Sequence, residues 1–193
     1  HASALPPPAA ESVGWVDHTG AGEPRRRAAG IAASTTFLGL AFHAIGVVLR
    51  GLAAGHVPWS NMYEFTITFT LIGVAVFVWM NTKRDLRDLG AFVVGPTLLL
   101  LGVAVAVLYV DAENLRPILD SYWLFIHVSI ATISVAVLGI AGVLAGLQLA
   151  KDYSEGSGNI VERVLSGLPN HQDLERMSYR LVAVGFEIGR AHV

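Results

Sequence analysis

The sequence predicts an all-α protein, a polytopic helical membrane protein with four transmembrane helices and the start of a fifth. Three observations predict it. Of 193 residues, 53% are apolar and only 15% are charged. Segments 28–49, 65–80, 89–110 and 122–150 contain no Lys, Arg, Asp or Glu, whereas a soluble helix keeps a charged face. Basic residues then alternate between rich and poor loops along the chain. A bilayer crossing takes about 20 apolar residues, and each segment reaches or approaches that length. A soluble enzyme, a nucleic-acid binder and a secreted protein with only a signal peptide all conflict with this pattern. The net charge of −2 gives no reason to expect a nucleic-acid partner.

Taken in order, residues 1–27 form a disordered cytoplasmic segment with an Ala/Pro stretch at 5–10. Residues 28–150 form a four-helix transmembrane domain. Residues 151–178 follow as a polar cytoplasmic loop with a modest helix near 160–166 and another from 172. Residues 179–186 begin a fifth span, and 187–193 read as a non-native tail, the natural chain being expected to continue past Phe186. In span 3, Gly95-Pro96 is expected to kink the helix, which membrane proteins tolerate when neighbours satisfy the freed carbonyl. In span 4, Gly142-Val-Leu-Ala-Gly146 suits close helix contact inside the protein.

Orientation follows from the loops. Arg25, Arg26 and Arg27 precede span 1; Lys83, Arg84 and Arg87 follow span 2; Lys151, Arg163, Arg176 and Arg180 follow span 4. Only Arg50 and Arg116 sit in loops 50–61 and 111–121. The positive-inside rule places the N-terminus in the cytoplasm and these two loops outside. Trp59, Tyr63, Tyr109, Tyr122 and Trp123 then gather at the outer interface, with Trp79 at the inner one.

The outer loops carry the candidate chemistry. Ahead of span 2 runs Pro58-Trp59-Ser60-Asn61-Met62-Tyr63-Glu64. Pro58 stops the preceding helix, Asn61 can cap the next, and Glu64 can reach back to free amides and complement the helix dipole. Span 4 is long: 122–150 would make a helix of roughly 43 Å against a hydrocarbon core of about 30 Å. If the surplus projects outward, His127 lies near the external interface, within reach of a flat cofactor. Ionisable residues within spans are functional candidates. His43 and His127 each lie seven residues from the charge at the outer end of their span, so the two could meet one haem iron or be unrelated. His56 is a weaker candidate ligand. Arg50 and Arg116 suit haem propionates or anionic lipid, or pairing with Asp111, Glu113, Asp120 or Glu64. The absence of cysteine removes disulfides, iron–sulfur clusters and C-x-x-C-H haem attachment, but not haem held by histidine. No catalytic triad, phosphate loop or carboxylate dyad occurs.

Arg50 with Gly55-His56-Val57-Pro58-Trp59-Ser60-Asn61-Met62-Tyr63-Glu64-Phe65, and Leu115-x-Pro117-x-Leu119-x-Ser121-Tyr122-Trp123-Leu124-x-Ile126-His127-Val128, together resemble the haem-handling membrane subunit of cytochrome c maturation system II. This is the CcsA/ResC family, called CcsB in actinobacteria. Leu174-x-x-x-Ser178-Tyr179-Arg180-Leu181-Val182-Ala183-Val184-Gly185-Phe186 fits the family's approach to its next helix, so the resemblance covers about residues 35–186. It implies a multi-pass protein of the bacterial plasma membrane that carries haem b to the outer face. There, with a CcsB/ResB-type partner subunit, it would attach haem to apocytochrome c thiols kept reduced by thioredoxin-like proteins, as a component of a holocytochrome c synthase.

By this resemblance His127 is an axial ligand of the external haem iron. His43, Arg50, Arg116 and Trp123 complete the candidate haem contacts, and Pro58, Trp59, Ser60, Asn61, Tyr63 and Glu64 form a scaffolding motif. No residue is expected to be catalytic. The family's W-G-x-x-W-x-W-D motif, its second external histidine and its downstream intramembrane histidine do not occur. The expectation is therefore a fragment that does not complete the reaction alone. The alternative from another class is a b-type haem membrane anchor in electron transfer, using His43 and His127.

Overall fold

The structure is a computed structural model and describes residues 19–115, 121–156 and 158–190, with side chains from residue 27 onward. Residues 116–120 lie outside the described residues, and with them Arg116, Asp120 and the Pro117 and Leu119 of the second motif. All the regular elements described are helical. Helix α1 spans Thr19–Ala54, α2 Met62–Lys83, α3 Gly90–Val103, α4 Tyr122–Ser154, α5 Ile160–Leu165 and α6 His171–Arg190. A 3-10 turn at Arg87–Leu89 leads into α3, and a π segment at Ala104–Leu108 prolongs it. Among the described residues, four stretches are long and apolar enough to cross a membrane: Arg27–Ala54, Met62–Lys83, Arg87–Leu108 and Tyr122–Ser154. They coincide with the four charge-free segments, and the chain is a multi-pass membrane protein.

The outer surface explains itself on those terms. Phe37 and Phe42 on α1, Leu99 on α3 and Val107 in the π segment are largely exposed. A water-soluble monomer rarely displays so much contiguous apolar surface, whereas lipid accepts it.

Helix α2 is central: α1, α3 and α4 all pack on it, α3 also touches α1 and α4, and α6 lies along α4. The larger core cluster sits at the basic end of the bundle. It joins Phe77 of α2, Leu89 and Val93 at the start of α3, Leu144 and Leu147 of α4, Leu165 of α5 and Leu174 of α6. At this end Lys151 Nζ donates to the carbonyls of Leu168 and Pro169, 3.2 and 2.8 Å away, closing the loop after α5. A smaller cluster of Val47, Ile67 and Ala104 lies toward the other end, bordered by Tyr63.

Helix α3 continues through Gly95-Pro96, the place of the expected kink, and Thr97 Oγ1 donates to Val93 O at 2.8 Å beside it. A departure from α geometry follows at the π segment. The glycine pair of α4 differs from expectation. Gly142 and Gly146 meet nothing within 4 Å of where a Cβ would stand, so this pair makes no internal helix contact among the described residues. The close approaches fall elsewhere on α4. Gly139 faces the Phe69 ring, and Gly185 of α6 is pressed onto Leu138, where a Cβ would stand 2.8 Å from Cγ. The helices expected near 160–166 and from 172 are α5 and α6, and α6 continues through 179–186 with Leu174, Met177, Ser178 and Gly185 buried along it. Ser134 Oγ donates to Gly185 O at 2.6 Å and Ser178 Oγ to Ala141 O at 3.1 Å, bolting α6 to α4.

Candidate functional site

The site grows from the reversal between α1 and α2. Gly55 takes a left-handed φ of +72°, which costs glycine nothing, and the chain doubles back over the end of α1. Gly51 lies so close to His56 O and Pro58 Cδ that its Cβ would stand 3.2 and 3.3 Å from them. Pro58 is buried, and its carbonyl accepts from Thr68 Oγ1 at 2.6 Å, holding the reversal to the side of α2.

Asn61 caps α2: its Oδ1 accepts the Glu64 amide at 2.9 Å. Glu64 reaches back as a capping-box acid does, but one residue further. Its Oε2 accepts both the amide and the hydroxyl of Ser60, at 3.1 and 2.8 Å. That leaves Oε1 for Arg50 Nε at 2.9 Å, in an ion pair whose side chains are 9% and 1% exposed. The two remaining Arg50 nitrogens, Nη1 and Nη2, donate to Val110 O and Asp111 O at 2.8 and 3.1 Å. The guanidinium also lies over the Tyr63 ring, 5.1 Å from its centroid, and Tyr63 meets Tyr109 edge-on at 5.2 Å. One arginine thus ties together α1, the start of α2 and the end of span 3. A buried arginine and glutamate satisfied on every side form a rigid corner, since neither charge can leave without stranding the other.

The segment after span 3 closes on the reversal between α1 and α2. His56 Nε2 is 3.2 Å from Glu113 O and its Nδ1 is 2.8 Å from Val57 O, while Asn114 sits against Gly55. Trp59 then meets Phe125 edge-on, with centroids 5.0 Å apart. That contact fixes the first turn and a half of α4 against the motif. Trp123 and His127 follow on α4 at i and i+4, one turn apart on a shared face. Trp123 is 65% exposed, and His127 is exposed as well. The arrangement is a rigid polar-aromatic corner beside an accessible histidine and tryptophan. Among the described residues, no group of three or more His, Asp or Glu side chains could hold a metal ion by itself.

His43 stands apart. Its ring lies against the backbone of Ile67 on α2, and its Nε2 is buried without a hydrogen-bond partner among the described residues. Helix α1 packs on α2 and α3, and α4 packs on α2 and α6. His43 and His127 are therefore carried by helices that each pack on α2. Sequence reasoning missed Phe125 and the carbonyls of Val110 and Asp111. A backbone carbonyl leaves no trace in a residue pattern, and Phe125 reads as one more apolar residue of the span.

Residues 59–188 match the family of cytochrome c assembly proteins. The chain belongs to that family. The match opens on Trp59, so it includes the capping motif, the Trp59–Phe125 contact, Trp123 and His127, and begins after His43 and Arg50. Among relatives of this family, the cytochrome c biogenesis protein CcsA of Trieres chinensis is 31% identical, over 71% of this chain and 53% of its own length. The CcsA of Prochlorococcus marinus is 27% identical, over 75% of this chain and 53% of its own. Protein NrfI of Wolinella succinogenes is 30% identical over 57% of this chain and 12% of its own length. The chain thus spans about half the length of the CcsA relatives it matches. A cytochrome c assembly protein is expected to handle haem; an electron-transfer anchor is not the reading these relatives favour.

Proposed function

We propose that this chain serves cytochrome c maturation, carrying haem across the membrane and presenting it at the external face for covalent attachment to apocytochrome c. The single observation that carries this reading is the packing of the Trp59–Glu64 motif onto the start of α4. It holds an exposed histidine and an exposed tryptophan on one helix face, within the stretch that matches the cytochrome c assembly family.

Haem b is the cargo. His127 supplies a neutral imidazole to its iron, the kind of ligand that governs iron affinity and redox state. Trp123, one turn away, offers an aromatic surface to the macrocycle. In thioether formation a cysteine S–H of apocytochrome c adds across a haem vinyl group, sulfur to one carbon and hydrogen to the other, with nothing released. The thiols come from the substrate, which suits a sequence with no cysteine of its own. The protein's part is to hold haem at a fixed place and angle, and the Arg50–Glu64 corner is built to resist displacement. Arg116, in the same outer loop region, is assigned to a haem propionate; Arg50, engaged at all three nitrogens, supports the site as a strut. A CcsB/ResB-type membrane subunit, apocytochrome c and thioredoxin-like reductants are the partners. The setting is the bacterial plasma membrane with the N-terminus in the cytoplasm, supported by the ten-to-two division of basic residues between the two ends.

The test is to express the complete gene with its partner subunit and a reporter cytochrome c in a host lacking its own maturation system. Wild type should yield covalently haem-stained cytochrome, and His127→Ala should yield little. If His127→Ala leaves both bound haem and maturation intact, the assigned role is wrong.

A further inference from the structure

At the basic end of the bundle, away from the haem-handling corner, a groove of about 280 Å³ opens between the end of α2 and α6. Its floor is apolar, with Met80, Leu86, Met177, Leu181 and Val184. Its rim carries Lys83, Arg84 and Arg180, and no acidic residue lines it. All three cations are exposed. The nearest acid in sequence, Asp85, is engaged by Arg87 at 3.4 Å. Trp79 stands at the groove's edge, 63% exposed, at the end of a membrane span where tryptophan marks the headgroup level.

An apolar trough under three cations, beside an interfacial tryptophan and at the end of a spanning helix, is complementary to one kind of molecule: an amphiphile with an anionic head and a hydrocarbon tail. We infer that this groove is a binding site for an acidic phospholipid of the adjoining leaflet. Its headgroup phosphates lie among Lys83, Arg84 and Arg180, and the upper part of one acyl chain lies along Met80, Leu181 and Val184. Basic pockets between membrane helices bind acidic headgroups in this way. The site also has a structural consequence. Lys83 and Arg84 end α2 while Arg180 rides on α6, so one lipid would bridge the two helices, which otherwise meet through α4. The inference rests on the membrane placement of α2 and on charge complementarity, and not on any role in haem handling.

The experiment titrates the purified full chain in detergent micelles with phosphatidylglycerol or phosphatidylcholine, counting bound lipid by native mass spectrometry. One phosphatidylglycerol per chain should be retained in preference to phosphatidylcholine. With each cation near the surface contributing its usual share, Lys83→Gln/Arg84→Gln/Arg180→Gln should weaken phosphatidylglycerol binding about 100-fold, and each single change about 5-fold. Arg163→Gln, on α5 and outside the groove lining, should leave it unchanged. Should the triple variant lose its helical circular dichroism, the single variants and the salt dependence of the unaltered chain decide. Equal retention of both lipids by the unaltered chain, or an undiminished phosphatidylglycerol count in every variant, overturns the assignment. An equal loss on Arg163→Gln also overturns it, because that marks a diffuse surface charge instead of a site. Displacement of bound phosphatidylglycerol by haem at equal concentration would give the groove to the cargo and overturn it too.

Discussion

Arg50 Nε and Glu64 Oε1 stand 2.9 Å apart across the gap between α1 and α2, both almost wholly out of contact with solvent. Glu64 is also where the capping of α2 ends, because its second oxygen holds Ser60. The residue that a helix start requires is therefore the same residue that neutralises the arginine. Two separate needs meet at one carboxylate, and this predicts an unequal response to substitution. Glu64→Ala strands a buried guanidinium and frees the Ser60 amide, and should destabilise the chain by about 3–5 kcal/mol. Arg50→Met/Glu64→Met removes both charges and should cost markedly less than the sum of the single changes. Thermal unfolding in detergent, followed by circular dichroism, checks both. A Glu64→Ala protein that melts with wild type would show that the corner is not structural.

The Trp59–Phe125 contact, 5.0 Å between centroids, is the link from the motif to the helix that carries His127. Edge-on aromatic pairs contribute about 0.5–1.5 kcal/mol beyond their buried area, enough to hold a helix end but not to build it. Trp59→Phe should keep the contact and the haem yield of the complete protein. Trp59→Ala should leave the helical content near wild type while broadening the haem absorption band and lowering maturation severalfold. A fall in helical content parallel to the fall in maturation would instead assign Trp59 to folding alone.

The glycines of α4 and α6 offer opposite outcomes on neighbouring turns. A side chain at Gly185 must displace Leu138, whose Cγ and Cδ2 stand 2.8 and 2.9 Å from the position of a Cβ. Gly185→Val should therefore push α6 from α4 and cost about 1–3 kcal/mol. Gly142 and Gly146 face open space. Gly142→Ala should be neutral or stabilise by up to about 1 kcal/mol through helix propensity. The readout is again the melting temperature of each variant. A Gly142→Ala change as damaging as Gly185→Val would place a contact on the open glycine face.

The four spans were legible because lipid demands the same thing of every residue on a crossing helix, and the charge-free segments at 28–49, 65–80, 89–110 and 122–150 report that demand directly. The cap of α2 was legible for a similar reason: Asn61 and Glu64 act on amides three or four residues away. What the residue pattern leaves open is the choice among partners far apart in sequence. Glu64 was one of four acids available to Arg50, and only the fold brings it within reach while turning Asp111 so that it offers its carbonyl instead of its carboxylate. The glycine spacing at 142 and 146 misled for the same reason, since spacing describes a helix face and says nothing of what stands opposite. The helix expected from 172 is α6, which starts at His171 and packs its buried face on α4.

The two membrane histidines yield a last prediction. Equal depth from the outer charges allows His43 and His127 to share one iron, and the fold bears on that possibility. Their helices each pack on α2, and His43 lies on α1 against Ile67 of α2 with its Nε2 buried, whereas His127 is exposed on α4 one turn from Trp123. An iron held by both would make either substitution equally damaging to the bound spectrum. With separate roles, His127→Ala should lower haem retention roughly tenfold or more, the scale on which lost ligation is felt. His43→Ala, which removes an unpartnered buried nitrogen, should change retention little and leave the melting temperature the same or higher. Absorption spectra of the complete protein purified with its haem, together with the melting temperatures of both variants, separate the two. Matching losses of the low-spin spectrum in His43→Ala and His127→Ala would restore the shared-iron arrangement and require α1 and α4 to approach each other when haem is bound.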